Sequence, residues 1–194
     1  MRYRFRANNK SIEEKMAKLK VLIANQAHFE DMIKIDHSLK SSYAYRMLTN
    51  HEKTNFSFNF QRVKLPREAH LSYMRDKESL LQSWNEASVI YAGMLDDVLV
   101  AYTTVDSKRL PKTARVSNLV VMPELRHRGI GKTMLAAIES WTAKNKLDRI
   151  LLEIAMRNYP MIEMSLQSGY EVCGFMEQYF PNDDPALFFQ KRLA

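Results

Sequence analysis

The stretch RHRGIGKT, residues 126–133, constrains the fold of this chain more than any other. It lies between RVSNLVVMP, rich in β-branched residues, and MLAAIESW, which has helical spacing, so the chain leaves a strand and enters a helix across one short turn. A strand feeding directly into a helix implies helices packed on a sheet and excludes an all-helical or an all-strand domain. The turn also has a chemistry. Gly129 and Gly131 let the backbone approach a ligand, and a helix start offers unpaired N–H groups and the positive end of its dipole. With Arg126, His127, Arg128 and Lys132 beside them, a phosphate group is the natural occupant.

Two kinds of phosphate-binding turn are excluded by single residues. A P-loop needs glycine five positions before Gly131, where this chain has Arg126. A dinucleotide fingerprint needs glycine at position 134, where this chain has Met134. What remains is R-x-x-G-x-G, formed by Arg126, Gly129 and Gly131.

The other elements follow from periodicity. LKVLIAN reads as a strand, and QAHFEDMIKIDHSL as a helix with Phe29, Met32, Ile33 and Asp36 at helical spacing. SSYAYRMLTNHEKTN shows no clear period. In FSFNFQRVKLP the apolar positions run Phe56, Phe58, Phe60 and then change phase to Val63 and Leu65, which predicts a strand with a bulge. A helix is expected over DKESLLQSWNEA, then an antiparallel hairpin of SVIYAGML and VLVAYTTVD around Asp96 and Asp97. RVSNLVV is a strand, and Ile130, Met134, Ile138 and Trp141 mark one face of a helix running to about Lys144. RILLEIA is a buried strand, PMIEMSLQSG a short helix stopped by Gly169, and YEVCGFMEQYF and ALFFQKRL two strands around PNDDP.

Composition narrows the class. A chain of 194 residues, 46% hydrophobic, buries a real core, and a single domain over residues 19–194 is expected. Cys173 is the only cysteine, so neither a disulfide framework nor a cysteine metal site is available. No run has the length and apolarity of a membrane span or signal core, which points to a cytoplasmic protein with no membrane partner. The net charge of +7 is uneven: residues 1–65 hold 13 Lys/Arg against 6 Asp/Glu, while the remainder is balanced. Residues 1–18 read as a basic arm or, from the capping-box spacing of Ser11 and Glu14, a short helix. No recognised nucleic-acid motif accompanies that charge, so a nucleic-acid partner is not expected. The five histidines are scattered without ligand spacing, so no metal site is expected.

In this setting LVVMPELRHRGIGKTML resembles the acetyl-CoA-binding segment of the GNAT acyltransferase superfamily. A second segment resembles the family's N-x-x-A-x-x-x-Y-x-x-x-G-F helix: Asn158, Gly169 and Tyr170 keep the spacing, with Met161 and Ser165 in the Ala and Tyr positions. The resemblance covers residues 88–193 well and 19–37 loosely. It implies an α+β fold, a mixed and mostly antiparallel sheet flanked by helices, with acetyl-CoA bound between two splayed central strands. It further implies that Leu119, Val120 and Val121 contact pantetheine through their main chain. The amides from Arg126 through His127, Arg128, Gly129, Ile130, Gly131 and Lys132 to Thr133 would cradle the pyrophosphate, and Asn158 would complete the cofactor site.

The implied activity is acetyl transfer from acetyl-CoA to a primary amine by direct attack on the thioester, by a monomer or homodimer. The ammonium form must lose a proton before attacking. Ser117 and Asn118 are the polar candidates on the first core strand. Glu153 is the only carboxylate between the two core strands, and reads either as the base or as a surface residue. Ser165 stands where the family has a proton-donating Tyr, and its hydroxyl is a far weaker acid. Tyr170 and Tyr179 are alternative donors or core residues. The competing class is a GNAT-like domain that binds acyl-CoA with little or no turnover.

Overall fold

The computed structural model describes residues 19–72 and 77–193. The expected arm or helix over residues 1–18 lies outside them. In chain order the elements are β1 (Lys20–Ile23), α1 (Phe29–Lys34), β2 (Leu39–Glu52), β3 (Asn55–Leu71), α2 (Lys77–Glu86), β4 (Val89–Leu95), β5 (Val98–Asp106) and β6 (Thr113–Val121). They continue with α3 (Ile130–Lys144), β7 (Arg149–Ala155), α4 (Tyr159–Gln167), β8 (Glu171–Met176) and β9 (Ala186–Arg192), and 3-10 turns occupy Gln26–His28 and Pro123–Leu125. The described residues divide into two units, one of 19–37, 77–150 and 193, the other of 38–72 and 151–192.

The first unit is a sheet in the order β1-β4-β5-β6, with each neighbouring pair antiparallel. Its hairpin turns on Asp96 and Asp97, both in the left-handed region at φ 50° and 61°, as a tight two-residue connection requires. Alternation along β4 sends Ile90, Ala92 and Met94 into a cluster with Phe29, Met32, Leu80 and Tyr102, and sends Tyr91 and Leu95 to the cluster of Val100, Ile130 and Met134. Helices α1 and α2 therefore cover one face and α3 the other. Phe29, Met32 and Leu80 are almost wholly buried, which stabilises the unit by about 1.5–3 kcal/mol each. Gly93 is the point of closest packing: a Cβ there would lie 3.2 Å from both Ala101 Cβ and Met134 Sδ.

The expected helix over residues 26–39 is shorter than its periodicity implied. A 3-10 turn capped by Asn25 precedes it, α1 ends at Lys34, and Ile35 is extended at ψ 129° while still buried in the α1 cluster. Asp36 thus lies beyond the helix.

The second unit holds a two-stranded ribbon, β2 with β3, and strands in the order β7-β9-β8, with β8 and β9 antiparallel. The segment without a clear period is β2. A ribbon with much of both faces exposed carries no strict hydrophobic alternation, which is why the sequence concealed it. The bulge expected between Phe60 and Val63 lies elsewhere. Pairing is regular from Glu52↔Asn55 to Tyr43↔Lys64 and then jumps to Ser41↔Ala69, so Leu65–Glu68 stand opposite the single residue Ser42. Pro66, which has no N–H to give the ladder, sits in that interruption. The phase change instead marks a switch in the face that carries the apolar residues. No described helix is long and apolar enough to cross a membrane.

Candidate functional site

In the first unit the turn after β6 is built to start a helix with its amides exposed. The Met122 amide still donates to Val100 O at 2.8 Å, Pro123–Leu125 forms one 3-10 turn, and Arg126 is extended. His127 at φ 60° and Gly129 at φ 84° then take left-handed backbone, and α3 begins at Ile130. Gly129 meets that geometry without the steric cost that a Cβ brings. Ile130 is buried and anchors the helix, whereas His127, Arg128, Gly129, Lys132 and Thr133 are exposed. The amides of Ile130 and Gly131 belong to the first helical turn, which has no intrahelical acceptor, at the positive end of a 15-residue helix. The Thr133 amide and hydroxyl both reach Gly129 O, at 3.1 and 3.3 Å.

Arg126 holds this turn in place. Its Nε donates to Val121 O at 3.0 Å and its Nη2 to Asp36 O at 3.2 Å, so one half-buried guanidinium ties the turn to the end of β6 and to the loop after α1. Burial pushes its pKa down from the ordinary arginine value, against the opposing pull of Asp36 and Glu124. Beside Asp36, His37 Nε2 lies 2.8 Å from the hydroxyl of the fully buried Tyr102, which fixes the same loop from below.

Leu119, Val120 and Val121 are half-buried at the end of β6. Two residues before Leu119 the strand is bulged: Thr104 pairs with Asn118 and Val105 with Val116, leaving Ser117 as the extra residue. Ser117 Oγ accepts from Arg115 Nη1 at 3.3 Å. Asn118 is buried and locked into the sheet, its Nδ2 donating to Thr104 Oγ1 at 2.7 Å and its carbonyl accepting from Thr103 Oγ1 at 2.6 Å.

In the second unit two sequence candidates meet. The Tyr179 hydroxyl donates to Glu153 Oε2 at 2.6 Å, joining the middle of β7 to the loop after β8. That loop is organised by Asp184, which is buried, receives Arg157 Nη2 and Asn182 Nδ2, and offers its carbonyl to the amides of Tyr179 and Phe180 at 3.2 and 3.1 Å. The Tyr179 ring packs edge-on against Phe180 and Phe188. Sequence reading treated PNDDP as an ordinary turn; the pairing of Arg157 with Asp184 has no local signal.

Ser165 is fully buried, and its hydroxyl donates to Met161 O of its own helix at 2.8 Å. Its proton is therefore engaged inside α4. Asn158 caps that helix, its Oδ1 accepting from the Met161 amide at 3.2 Å. Tyr170 is 2% exposed, with Lys191 Nζ 5.6 Å from its ring centroid. Among the described residues no group of three His, Cys, Asp or Glu side chains is arranged to hold a metal.

Residues 47–170, which run through both units, match the model of the acetyltransferase (GNAT) family. No curated protein matches the chain by sequence. Among solved structures it is similar to a nourseothricin acetyltransferase, with a TM-score of 0.78 at 16% identity over 90% of this chain and 98% of that one. A Bacillus anthracis str. Ames protein assigned as a streptothricin acetyltransferase, in complex with acetyl coenzyme A, gives 0.71 at 16% identity over 91% and 98%. The ribosomal-protein-S18-alanine N-acetyltransferase of Escherichia coli gives 0.66 at 11% over 91% and 94%. These likenesses bear on the fold, a mixed sheet, mostly antiparallel, flanked by helices. With the family model matched over more than half its length, the chain belongs to the GNAT acetyltransferase family.

Proposed function

We propose that residues 19–194 act as one acetyl-CoA-dependent N-acetyltransferase domain that moves an acetyl group to a primary amine by direct attack on the thioester. The observation that carries this reading is the path from Val121 to Ile130: a strand end, two left-handed residues and a helix start whose first amides face outward. The amides between Arg126 and Thr133 suit the pyrophosphate of CoA, those two residues' own amides being given to Pro123 O and Gly129 O, with Arg128 and Lys132 adding exposed positive charge. Arg126 then contributes mainly by holding the turn. Leu119–Val121 would meet the pantetheine arm through the main chain, with an N–H near Val121 for the thioester oxygen as it gains charge. Asn158 would serve the cofactor only through the helix it caps. A structural relative bound to acetyl coenzyme A supports the donor.

In the second unit Glu153 and Tyr179 are the proton-handling pair. Glu153 takes the ammonium proton, directly or over one water, and the hydrogen bond from Tyr179 fixes the carboxylate in one orientation. The free amine attacks the carbonyl carbon, the C–S bond breaks as the tetrahedral adduct collapses, and nitrogen loses a second proton. One of the two released protons reaches the CoA thiolate and the other leaves to solvent. Ser117 remains a polar group on the bulge that can bind water. Ser165 has no part, because its proton is held by Met161 O.

The test is CoA thiol release at saturating acetyl-CoA with and without a panel of primary amines. Amine-dependent release above the uncatalysed rate is expected. Tight acetyl-CoA binding with no release on any amine would make the chain a binding domain.

A further inference from the structure

The ribbon in the second unit carries six Lys/Arg against two Glu over residues 38–72, more than half of the net charge of +7. Its regular register puts Tyr43, Tyr45, Arg62 and Lys64 on one face, since Tyr43 pairs with Lys64 and Tyr45 with Arg62. Tyr159, the first residue of α4, comes up to that face: its ring centroid is 5.2 Å from that of Tyr43 and 6.4 Å from that of Tyr45. Arg62 lies over two of these rings, its Cζ 5.3 Å from the Tyr43 centroid and 5.9 Å from the Tyr159 centroid, and Nη1 donates to Tyr159 Oη at 3.0 Å. A long exposed side chain is thereby held in one place by two cation–π contacts and one hydrogen bond.

Tyr159 accepts from Arg62 and so keeps its own O–H, and the guanidinium has spent one of its five N–H groups. Glu163 acts on Arg62 and Tyr45 through space, yet no described carboxylate forms an ion pair with Arg62. A guanidinium held in place with N–H groups to spare, together with the Tyr159 O–H and Lys64 beside it and no described carboxylate paired to Arg62, fits an anion. A cation would have to displace the guanidinium from both rings. The position also suits a substrate, because the Tyr45 amide donates to Met156 O at 2.9 Å, one residue past the end of β7. Met156 and Glu153 are three residues apart, about 10 Å along an extended chain.

We infer that Arg62, held by Tyr43 and Tyr159, binds an anionic oxygen group, carboxylate or phosphate, on the acceptor, so that the acceptor is an amine that also carries an acid. This rests on the acetyltransferase reading above and adds the substrate class. The guanidinium edge gives two parallel N–H···O bonds and Tyr159 a third.

The experiment uses matched acceptors: β-alanine against β-alaninamide, lysine against lysinamide, and phosphoethanolamine against ethanolamine. The wild-type protein and R62A and R62K are compared in CoA release and, separately, in calorimetric binding to the CoA-loaded protein. At least one acid is expected to have a KM or Kd tenfold or more below that of its neutral partner. R62A should erase that difference by raising the KM or Kd of the acid, and R62K should restore it only in part. Whether the carboxylate or the phosphate pair shows the effect identifies the source. Equal affinity for acid and neutral partners in all three pairs overturns the proposal, as does an R62A effect of the same size on both members. If binding discriminates and no amine turns over, the anion site stands and the transferase reading fails.

Discussion

Glu153→Gln is expected to lower kcat by about 10²- to 10³-fold with little change in the KM for acetyl-CoA, the scale of a positioned proton acceptor. The amide keeps the size of the carboxylate and can still accept from Tyr179, so the loss would report lost basicity rather than lost packing. Tyr179→Phe, which removes the 2.6 Å hydrogen bond to the carboxylate, should cost about tenfold. Ser165→Ala should change kcat by less than about twofold, and its effect should appear as about 1 kcal/mol of stability from the bond to Met161 O. Initial rates on one amine at saturating acetyl-CoA, with thermal melts alongside, check all three. A silent Glu153→Gln together with a crippled Ser165→Ala would reverse the assignment of the proton-handling group.

Gly129→Val should weaken acetyl-CoA binding by at least tenfold, about 1.4 kcal/mol. Valine is strained at φ 84°, and its branched Cβ would project where the backbone must meet the pyrophosphate. Gly169→Val is the control. That residue has a similar φ of 79° at the end of α4, and a Cβ there would meet only Lys191 Cε, at 3.9 Å. Similar strain at Gly169 should lower the melting temperature and leave affinity for acetyl-CoA within about twofold. Calorimetric titration of both folded variants decides it: equal affinity in wild type and Gly129→Val removes the turn from the cofactor site.

The central elements were legible because their signals are local. Ile130, Met134 and Ile138 repeat at helical spacing, Asp96 and Asp97 make a two-residue turn, and Gly169 stops a helix. What the sequence hid depends on partners far along the chain. Arg126 could be seen as a charge in a phosphate turn, but its bond to Asp36 O, 90 residues away, could not. Glu153 and Tyr179 were separate candidates, and only the loop fixed by Asp184 and Arg157 joins them. Ser165 was read by its place in a helix pattern, and three-dimensional packing alone decides that it is buried. The ribbon was legible in one strand only. Its first strand, β2, exposes much of both faces, so Tyr43 and Tyr45 carry no alternation from which a strand can be read, whereas the segment of Arg62 reads as a strand and only its cluster with Tyr159, 97 residues beyond Arg62, is hidden.

The most direct measurement is to incubate the protein with acetyl-CoA labelled with carbon-13 at the acetyl carbonyl and with the amine panel, and to follow the label by mass spectrometry. Label is expected in an amide on the acceptor nitrogen, with one free CoA for each amide formed and loss of both in Glu153→Gln. Label that stays on CoA at the uncatalysed rate with every amine, while acetyl-CoA remains bound, would contradict acetyl transfer by this chain.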